Sequence, residues 1–136
     1  MDCTEIYNEL DRLRGDFEYV SIDEIKMYIV IMLQTKHITK WEGTTYGLKH
    51  TIERAYGKYC SNNDVKCVLC EFGFKLGLLP CWGDKVKWVN DYSKGRYSAI
   101  NKTMKEYILS DSTNLYFKEE RSTRRRINDV MNRNIL

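Results

Sequence analysis

The residues of this chain whose types and spacing point most clearly to chemistry are the arginines of its last quarter. Residues 118–126 read KEERSTRRR. On a helix, Arg124 and Arg125 share one side with Arg121, because they follow it by three and four residues, and Arg126 lies beside them. Arginines grouped in this way are suited to phosphate contacts. We therefore predict that these four side chains hold the phosphates of a nucleic acid.

A second basic cluster lies in and after the segment 72–88. Its Gly77 suits the turn of a loose helix-turn-helix, with Val86 as the buried aliphatic residue of the second helix. Val86 comes nine residues after Gly77, so the turn must be longer than in the usual motif. The basic residues that we predict on this nucleic-acid-reading face are Lys85, Lys87, Lys94, Arg96 and Lys102.

Three aromatic side chains accompany these lysines, namely Trp82, Trp88 and Tyr97. Aromatic rings stack on unpaired bases or on an RNA loop. Aromatic residues at helical spacing, however, more often pack in a hydrophobic core. The sequence leaves both interpretations open.

Four cysteines, Cys60, Cys67, Cys70 and Cys81, raise the question of a tetrahedral zinc site. A zinc ribbon places two close cysteine pairs in turns, where the thiolates converge. In this chain the one close pair, Cys67 and Cys70, falls within a predicted apolar helix, and the other two cysteines are single. Because a buried cysteine packs as a small hydrophobic residue, we favour core packing over zinc.

Catalytic patterns are missing from the sequence. His37 and His50 do not form a His-x-x-x-His pair, and there is no Gly-x-Ser-x-Gly elbow, P-loop or dinucleotide-binding glycine pattern. We therefore predict a protein that is not an enzyme and that uses no cofactor or metal.

The elements that must position these residues are predicted to be helices, because apolar residues recur at helical spacing along most of the chain. The apolar stripes are Ile6, Leu10, Leu13 and Phe17; residues 27–33; Leu48, Ile52, Ala55, Tyr56 and Tyr59; Val65, Val68, Leu69, Phe72 and Leu76; Val86, Val89 and Tyr92; and Tyr97, Ile100, Met104, Tyr107 and Ile108. Ser21 and Glu24 have capping-box spacing, and Ser61 is a further N-cap. Residues 77–80, Gly-Leu-Leu-Pro, end the fourth helix. The basic C-terminal helix is expected at about 113–133.

Taken together, these elements predict a mainly α fold. Residues 1–136 are expected to form one compact domain, a bundle of about six or seven helices. The run 27–33 is apolar nearly all round, which is typical of a central, buried helix. Residues 15–20 and 115–117 favour β structure, so a minor β-hairpin is the alternative for those two segments.

Composition narrows the class of protein. A chain of 136 residues that is 43% hydrophobic and 30% charged is typical of one globular domain. No apolar run reaches the roughly 20 residues of a membrane span, and the N-terminal residues do not form a basic region followed by an apolar one. Five cysteines without a secretion signal indicate reduced thiols, so we expect a cytoplasmic protein with no membrane partner.

The net charge of +3 is unevenly distributed along the chain. Residues 1–24 carry eight acidic side chains and two arginines, so the remainder carries +9. A positive body of this kind attracts nucleic acid or an acidic protein surface. The charge distribution thus indicates a negatively charged partner.

The sequence favours a non-catalytic nucleic-acid-binding protein, with DNA as the favoured partner, acting as a small regulator of the phage or mobile-element type. The alternative is a small inhibitor or adaptor that binds a host protein, such as a phage-encoded inhibitor of a nucleic-acid-handling or defence complex. Ten tyrosines and three tryptophans support this alternative, because both residue types are enriched at binding hot spots. Composition does not separate the two functions.

Overall fold

The structure is a computed structural model that describes residues 3–14, 18–35, 41–79, 85–90 and 100–133. Within these ranges the helices are α1 (Cys3–Arg14), α2 (Ile22–Thr35), α3 (Thr45–Tyr56), α4 (Asn62–Glu71), α5 (Lys102–Leu109) and α6 (Thr123–Arg133), and the strands are β1 (Glu42–Thr44), β2 (Lys75–Leu78), β3 (Lys87–Trp88) and β4 (Leu115–Lys118). The mainly α prediction with a minor β part is therefore confirmed. None of the described helices combines the length and apolarity that crossing a bilayer requires.

The four strands form one antiparallel sheet in the order β1-β4-β2-β3. Side chains alternate between its two faces. Leu76 of β2 and Leu115 and Phe117 of β4 are buried in the core. The intervening residues of β2 and β4 lie on the opposite face, which we call the outer face of the sheet.

Helix α4 is the centre of the core. Every residue from Asn62 to Cys70 is buried, and the helix packs against α1, α2, α3 and α5. The sequence instead indicated that residues 27–33, in α2, form the central helix. Met27 and Ile31 of α2 are 45% and 48% exposed, so this helix is an outer one despite its apolar composition.

Two of the predicted helix starts are confirmed in atomic detail. The Glu24 backbone N–H donates to Ser21 Oγ at 3.1 Å, and the Ser21 N–H donates to Glu24 Oε1 at 3.0 Å, which completes the capping box before α2. Ser61 Oγ accepts from the Asp64 N–H at the start of α4. Local side-chain chemistry alone defines these boundaries.

The predicted end of the fourth helix is wrong. Helix α4 ends at Glu71 and does not continue to Leu76, which lies in β2. Gly73 has a φ of 81°, in the left-handed region, and the Phe74 N–H donates to the Leu69 carbonyl at 3.0 Å. Glycine adopts this conformation without a Cβ penalty, and the bond from Phe74 closes the helix.

The predicted helix-turn-helix between residues 72 and 88 is also wrong. Its described residues form β2 and β3, which pair as an antiparallel hairpin with Gly77 opposite Trp88. The alternation Lys75-Leu76-Gly77-Leu78 suits a strand with one buried face, and Val86 and Val89 flank β3. Tyr92 lies outside the described residues.

The C-terminal helix is shorter than the predicted 113–133. It begins at Thr123, because residues Leu115–Lys118 form β4, the strand considered as the alternative. Thr123 Oγ1 accepts from the Glu120 N–H at 2.8 Å near the first turn. The strands that pair with β4 are β1 and β2; among the described residues of the segment 15–20, Tyr19 forms an isolated bridge with Tyr59.

Candidate nucleic-acid interface

The outer face of the sheet brings together aromatic and basic side chains from strands that are distant in sequence. In the register of the sheet, Tyr116 of β4 lies opposite Gly77 of β2, and Trp88 of β3 lies opposite the same glycine on its other side. Lys118 and Lys75 pair two residues further along the same two strands. Because alternate residues share a face, all of these positions lie on the outer face.

The two aromatic rings are neighbours across Gly77. The ring centroids of Trp88 and Tyr116 are 6.1 Å apart, with an interplanar angle of 56°, and both side chains are partly exposed. A Cβ added at Gly77 would lie 3.0 Å from Trp88 Cε3 and 2.5 Å from Val86 Cγ1. Glycine at this position therefore allows Trp88 to lie across β2 toward Tyr116.

Lysine side chains border the rings. Lys75 Nζ lies 4.9 Å from the centroid of the Trp88 ring, which is a cation–π distance, and 3.8 Å from Glu120 Oε1. Lys118 is partly exposed beside it in the register. Lys87 is exposed on the edge strand β3, and Lys85 is exposed just before it. On the outer face, positive charge thus lies at Lys75 and Lys118, because Lys87 alternates with Trp88 and lies on the opposite face of β3.

Tyr116 keeps its proton on this face. Burial against its neighbours, together with its hydrogen bond to the Glu42 carboxylate, raises the pKa of Tyr116 above its ordinary value of 10.0. The neutral phenol can lie against another ring and still donate a hydrogen bond. The outer face therefore presents two uncharged aromatic rings among its lysines at neutral pH.

The sequence-predicted lysines are only partly brought together. Lys87 lies on the edge strand β3 opposite Leu78, on the face away from Trp88, whereas Lys102 is exposed at the first residue of α5. Lys94 and Arg96 lie outside the described residues, as do the aromatic residues Trp82 and Tyr97. Of the three predicted stacking residues, Trp88 is therefore the one that the structure places on a partly exposed face.

The four predicted phosphate-binding arginines do not form one row along a helix. Arg121 is exposed in the turn before α6, and Arg125 is exposed on the helix. Arg124 donates from Nε to Glu119 Oε1 at 2.8 Å and from a terminal nitrogen to the Leu33 carbonyl at 3.1 Å. Arg126 donates from Nε to the Glu71 carbonyl at 3.2 Å. Arg124 and Arg126 thus bind α6 to α2 and α4.

Three of the four cysteines considered as zinc ligands pack in the core. Cys60, Cys67 and Cys70 are buried, and Cys81 lies outside the described residues. Burial, reinforced by the neighbouring Cys3 thiol, raises the pKa of Cys67 well above its ordinary value. Within the described ranges, no group of histidine, cysteine and acidic residues is arranged to hold a metal ion.

Sequence reasoning missed Tyr116, Lys75 and Lys118 as members of one surface. Their signal is the period of two in the apolar residues Leu76 and Leu78 and in Leu115 and Phe117, which marks strands with one buried face. Comparison of the chain with protein-family models, with curated proteins and with solved structures gives no match.

Proposed function

We propose that this protein binds single-stranded nucleic acid on the outer face of its sheet, as a small regulator without catalytic activity. The observation that carries this proposal is the pair Trp88 and Tyr116, with ring centroids 6.1 Å apart on a partly exposed sheet face bordered by lysines. Several folds that bind single strands stack bases on aromatic rings of a sheet and bind the backbone with basic side chains beside those rings.

Each ring offers one stacking position. Stacking of a base on an aromatic side chain contributes about 1–3 kcal/mol, and it tolerates any base because every base has a π face. The centroid distance and the tilt of 56° keep Trp88 and Tyr116 from covering one another completely. Two adjacent bases of an unpaired strand can therefore stack on one ring each.

The lysines contribute charge along the same path. Lys75 and Lys118 are adjacent in the register on the outer face, and Lys87 is exposed on the other face of the edge strand β3. Phosphate contacts supply affinity that depends on salt and not on sequence. A duplex keeps its base faces stacked inside the helix, so the outer face should prefer a single strand.

The test is fluorescence anisotropy with labelled single-stranded DNA, single-stranded RNA and duplex DNA, titrated from low to physiological salt. Trp88→Leu and Tyr116→Leu should each weaken single-strand binding by about 5- to 150-fold, which is the loss of one stacked base. Tyr28→Leu, on the partly buried side of α2, is the matched control and should bind like the wild type.

Charge variants separate this surface from the arginines of α6. Lys118→Gln should reduce the slope of log affinity against log salt by about 0.7, the value for one phosphate contact on a single strand. Arg125→Gln, an exposed arginine outside the sheet, should leave the slope unchanged. Absence of binding at low salt for all three nucleic acids would contradict the proposal and would favour the protein-binding inhibitor or adaptor.

A further inference from the structure

Helix α2 carries an apolar stripe that faces away from the core. Met27 and Ile31 are 45% and 48% exposed, and Val30, on the same side of the helix, is partly exposed. Asp23 and Gln34 extend this stripe toward the two ends of the helix, because residues three, four and seven apart share a helix face. Helix α2 thus presents to solvent a face of the kind that helices normally bury.

A groove lies beside this stripe, between α2 and α6. Its volume is about 240 Å³, below the range of about 300–1,000 Å³ that is typical of small-molecule sites. Leu33 and Ile127 in the groove are buried, so its floor is apolar. The groove therefore suits the end of an apolar side chain better than a free ligand. The residues that line it are Val30, Leu33, Gln34, Arg124, Ile127 and Asn128.

The two ends of the stripe carry opposite charges. Asp23 is exposed in the first turn of α2. At the other end, Arg124 of α6 donates to the Leu33 carbonyl in the last turn of α2, and its side chain is 50% exposed. A guanidinium has five N–H donors, so Arg124 can bond a second carboxylate in addition to that of Glu119. The stripe thus runs from a negative end through an apolar middle to a positive end.

A stripe with this charge pattern is complementary to a second copy of itself in one orientation. When two α2 helices pack antiparallel about a two-fold axis, Asp23 of each copy lies at the Arg124 end of the other. The same arrangement places Met27 of each copy opposite Ile31 of the other, beside its groove. A parallel arrangement would instead bring the two Asp23 carboxylates together. Charge and apolar surface therefore both favour the antiparallel pair.

We propose that this protein forms a symmetric homodimer through its α2 stripe, with Met27 and Ile31 at the centre of the interface and Asp23 paired with Arg124 of the other copy. Helix α2 has 14 residues, so it is about 21 Å long, and about 10 Å wide with its side chains. One such face covers less than about 800 Å² per partner, the typical size of a stable interface. The dimer should therefore be weak, with a dissociation constant in the micromolar range. The proposal does not depend on nucleic-acid binding by the outer face of the sheet.

The test is sedimentation equilibrium of the full chain from micromolar to millimolar concentration, in which the wild type should show a monomer–dimer equilibrium. Ile31→Lys should weaken the dimer at least about tenfold, because the two-fold axis removes two apolar contacts and places two new charges in the interface. Asp23→Asn should weaken it by about 2- to 30-fold, the loss of two exposed ion pairs. Leu13→Lys, which changes a 67% exposed leucine of α1, is the matched control and should dimerise like the wild type.

Cysteine variants test the orientation of the two helices. Met27→Cys mixed with Ile31→Cys should form a disulfide-linked heterodimer in oxidised glutathione faster than either variant alone forms a linked homodimer. Homodimers that form at least as fast as the heterodimer would overturn the antiparallel pairing. A wild type that stays monomeric to millimolar concentration, or an Ile31→Lys variant that dimerises like the wild type, would overturn the interface. Loss of the dimer in Leu13→Lys would assign the interface to α1 and would overturn the proposal as well.

Discussion

Replacement of Lys66 by methionine tests whether one buried ammonium group holds α4 to the segment before β4. Lys66 is fully buried, and its Nζ donates to the carbonyls of Tyr107 and Ser110, both at 2.6 Å, and of Thr113 at 3.1 Å. Helix α5 ends at Leu109, so the Tyr107 carbonyl has no partner within its own helix. Lys66 thus caps the end of α5 from inside the core.

The expected loss of stability follows from the three carbonyls to which Lys66 Nζ donates. Methionine has a similar length and shape but no donor, so packing is largely kept while Tyr107, Ser110 and Thr113 lose hydrogen bonds. The Tyr107 carbonyl is left without its Lys66 donor, which costs about 1–3 kcal/mol. Thr113 keeps the bond from Asn62 Nδ2, and Ser110 keeps the bond from the Thr113 N–H, so each of these two loses one bond, at a cost of about 1 kcal/mol. Removing the buried charge itself offsets part of this cost. We expect Lys66→Met to lower the free energy of unfolding at neutral pH by about 2–4 kcal/mol.

The assay is urea denaturation followed by circular dichroism. Lys102→Met is the matched control, because Lys102 is an exposed lysine at the first residue of α5 and should change the free energy of unfolding by no more than about 0.5 kcal/mol. A Lys66→Met variant that loses no more stability than Lys102→Met would refute the reasoning.

Lys66 also makes the free energy of unfolding depend on pH. Burial lowers the pKa of Lys66 from 10.5 to about 8, and the nearby Asp111 opposes this shift. Between these two values the unfolded chain binds more protons than the folded protein, so stability should rise with pH. The rise is at most about 3 kcal/mol. Urea denaturation at about pH 7 and at about pH 9.5 should show this rise in the free energy of unfolding for the wild type and no such rise for Lys66→Met.

Two further substitutions test the sheet and the end of α3. Gly77→Ala should lower the free energy of unfolding by about 1–3 kcal/mol and weaken single-strand binding, because the new Cβ would lie 2.5 Å from Val86 Cγ1 and 2.9 Å from the Lys87 carbonyl oxygen. Thermal unfolding and anisotropy check this, and unchanged values in both would contradict it. Burial acts to raise the pKa of Glu53, but hydrogen bonds from Lys49 and the Cys60 N–H outweigh it, so the net pKa lies below 4.5. Ionised Glu53 therefore stabilises the fold above pH 4.5, and this stabilisation is lost as the pH falls through the pKa of Glu53 in the folded protein. Acid unfolding of Glu53→Gln should lack this part of the pH dependence, and a profile identical to the wild type would contradict it.

The features of the fold that were predicted correctly from the sequence are those set by interactions between residues close together in the chain. Ser21, Glu24 and Ser61 define helix starts through bonds that span three residues. The end of α4 was missed because Leu76 continues the helical spacing of Leu69 and Phe72. Pairing of β2 with β4, which is far along the chain, decides that Leu76 lies in a strand.

The candidate site was predictable to a smaller extent. Trp88 was named as a stacking residue, and Lys85 and Lys87 were named beside it, but on a helix that does not exist. Tyr116 could not be placed next to Trp88 from the sequence, because both must first pair with β2. Spacing along the chain also does not reveal that Arg124 and Arg126 hold α6 against its neighbours.

The register of β4, and with it the outer face, depends on a buried polar side chain. Thr45 is fully buried; its Oγ1 donates to Asn114 Oδ1 and accepts from the Leu115 N–H, both at 3.1 Å. These bonds fix the residue at which β4 begins. A slip of one residue would turn Tyr116 toward the core and Phe117 toward solvent. The same slip would turn Lys118 toward the core and Leu115 toward solvent, and the bonds to Thr45 would be lost. The position of Tyr116 beside Trp88 on the outer face is therefore specified both by apolar packing and by hydrogen bonds inside the core.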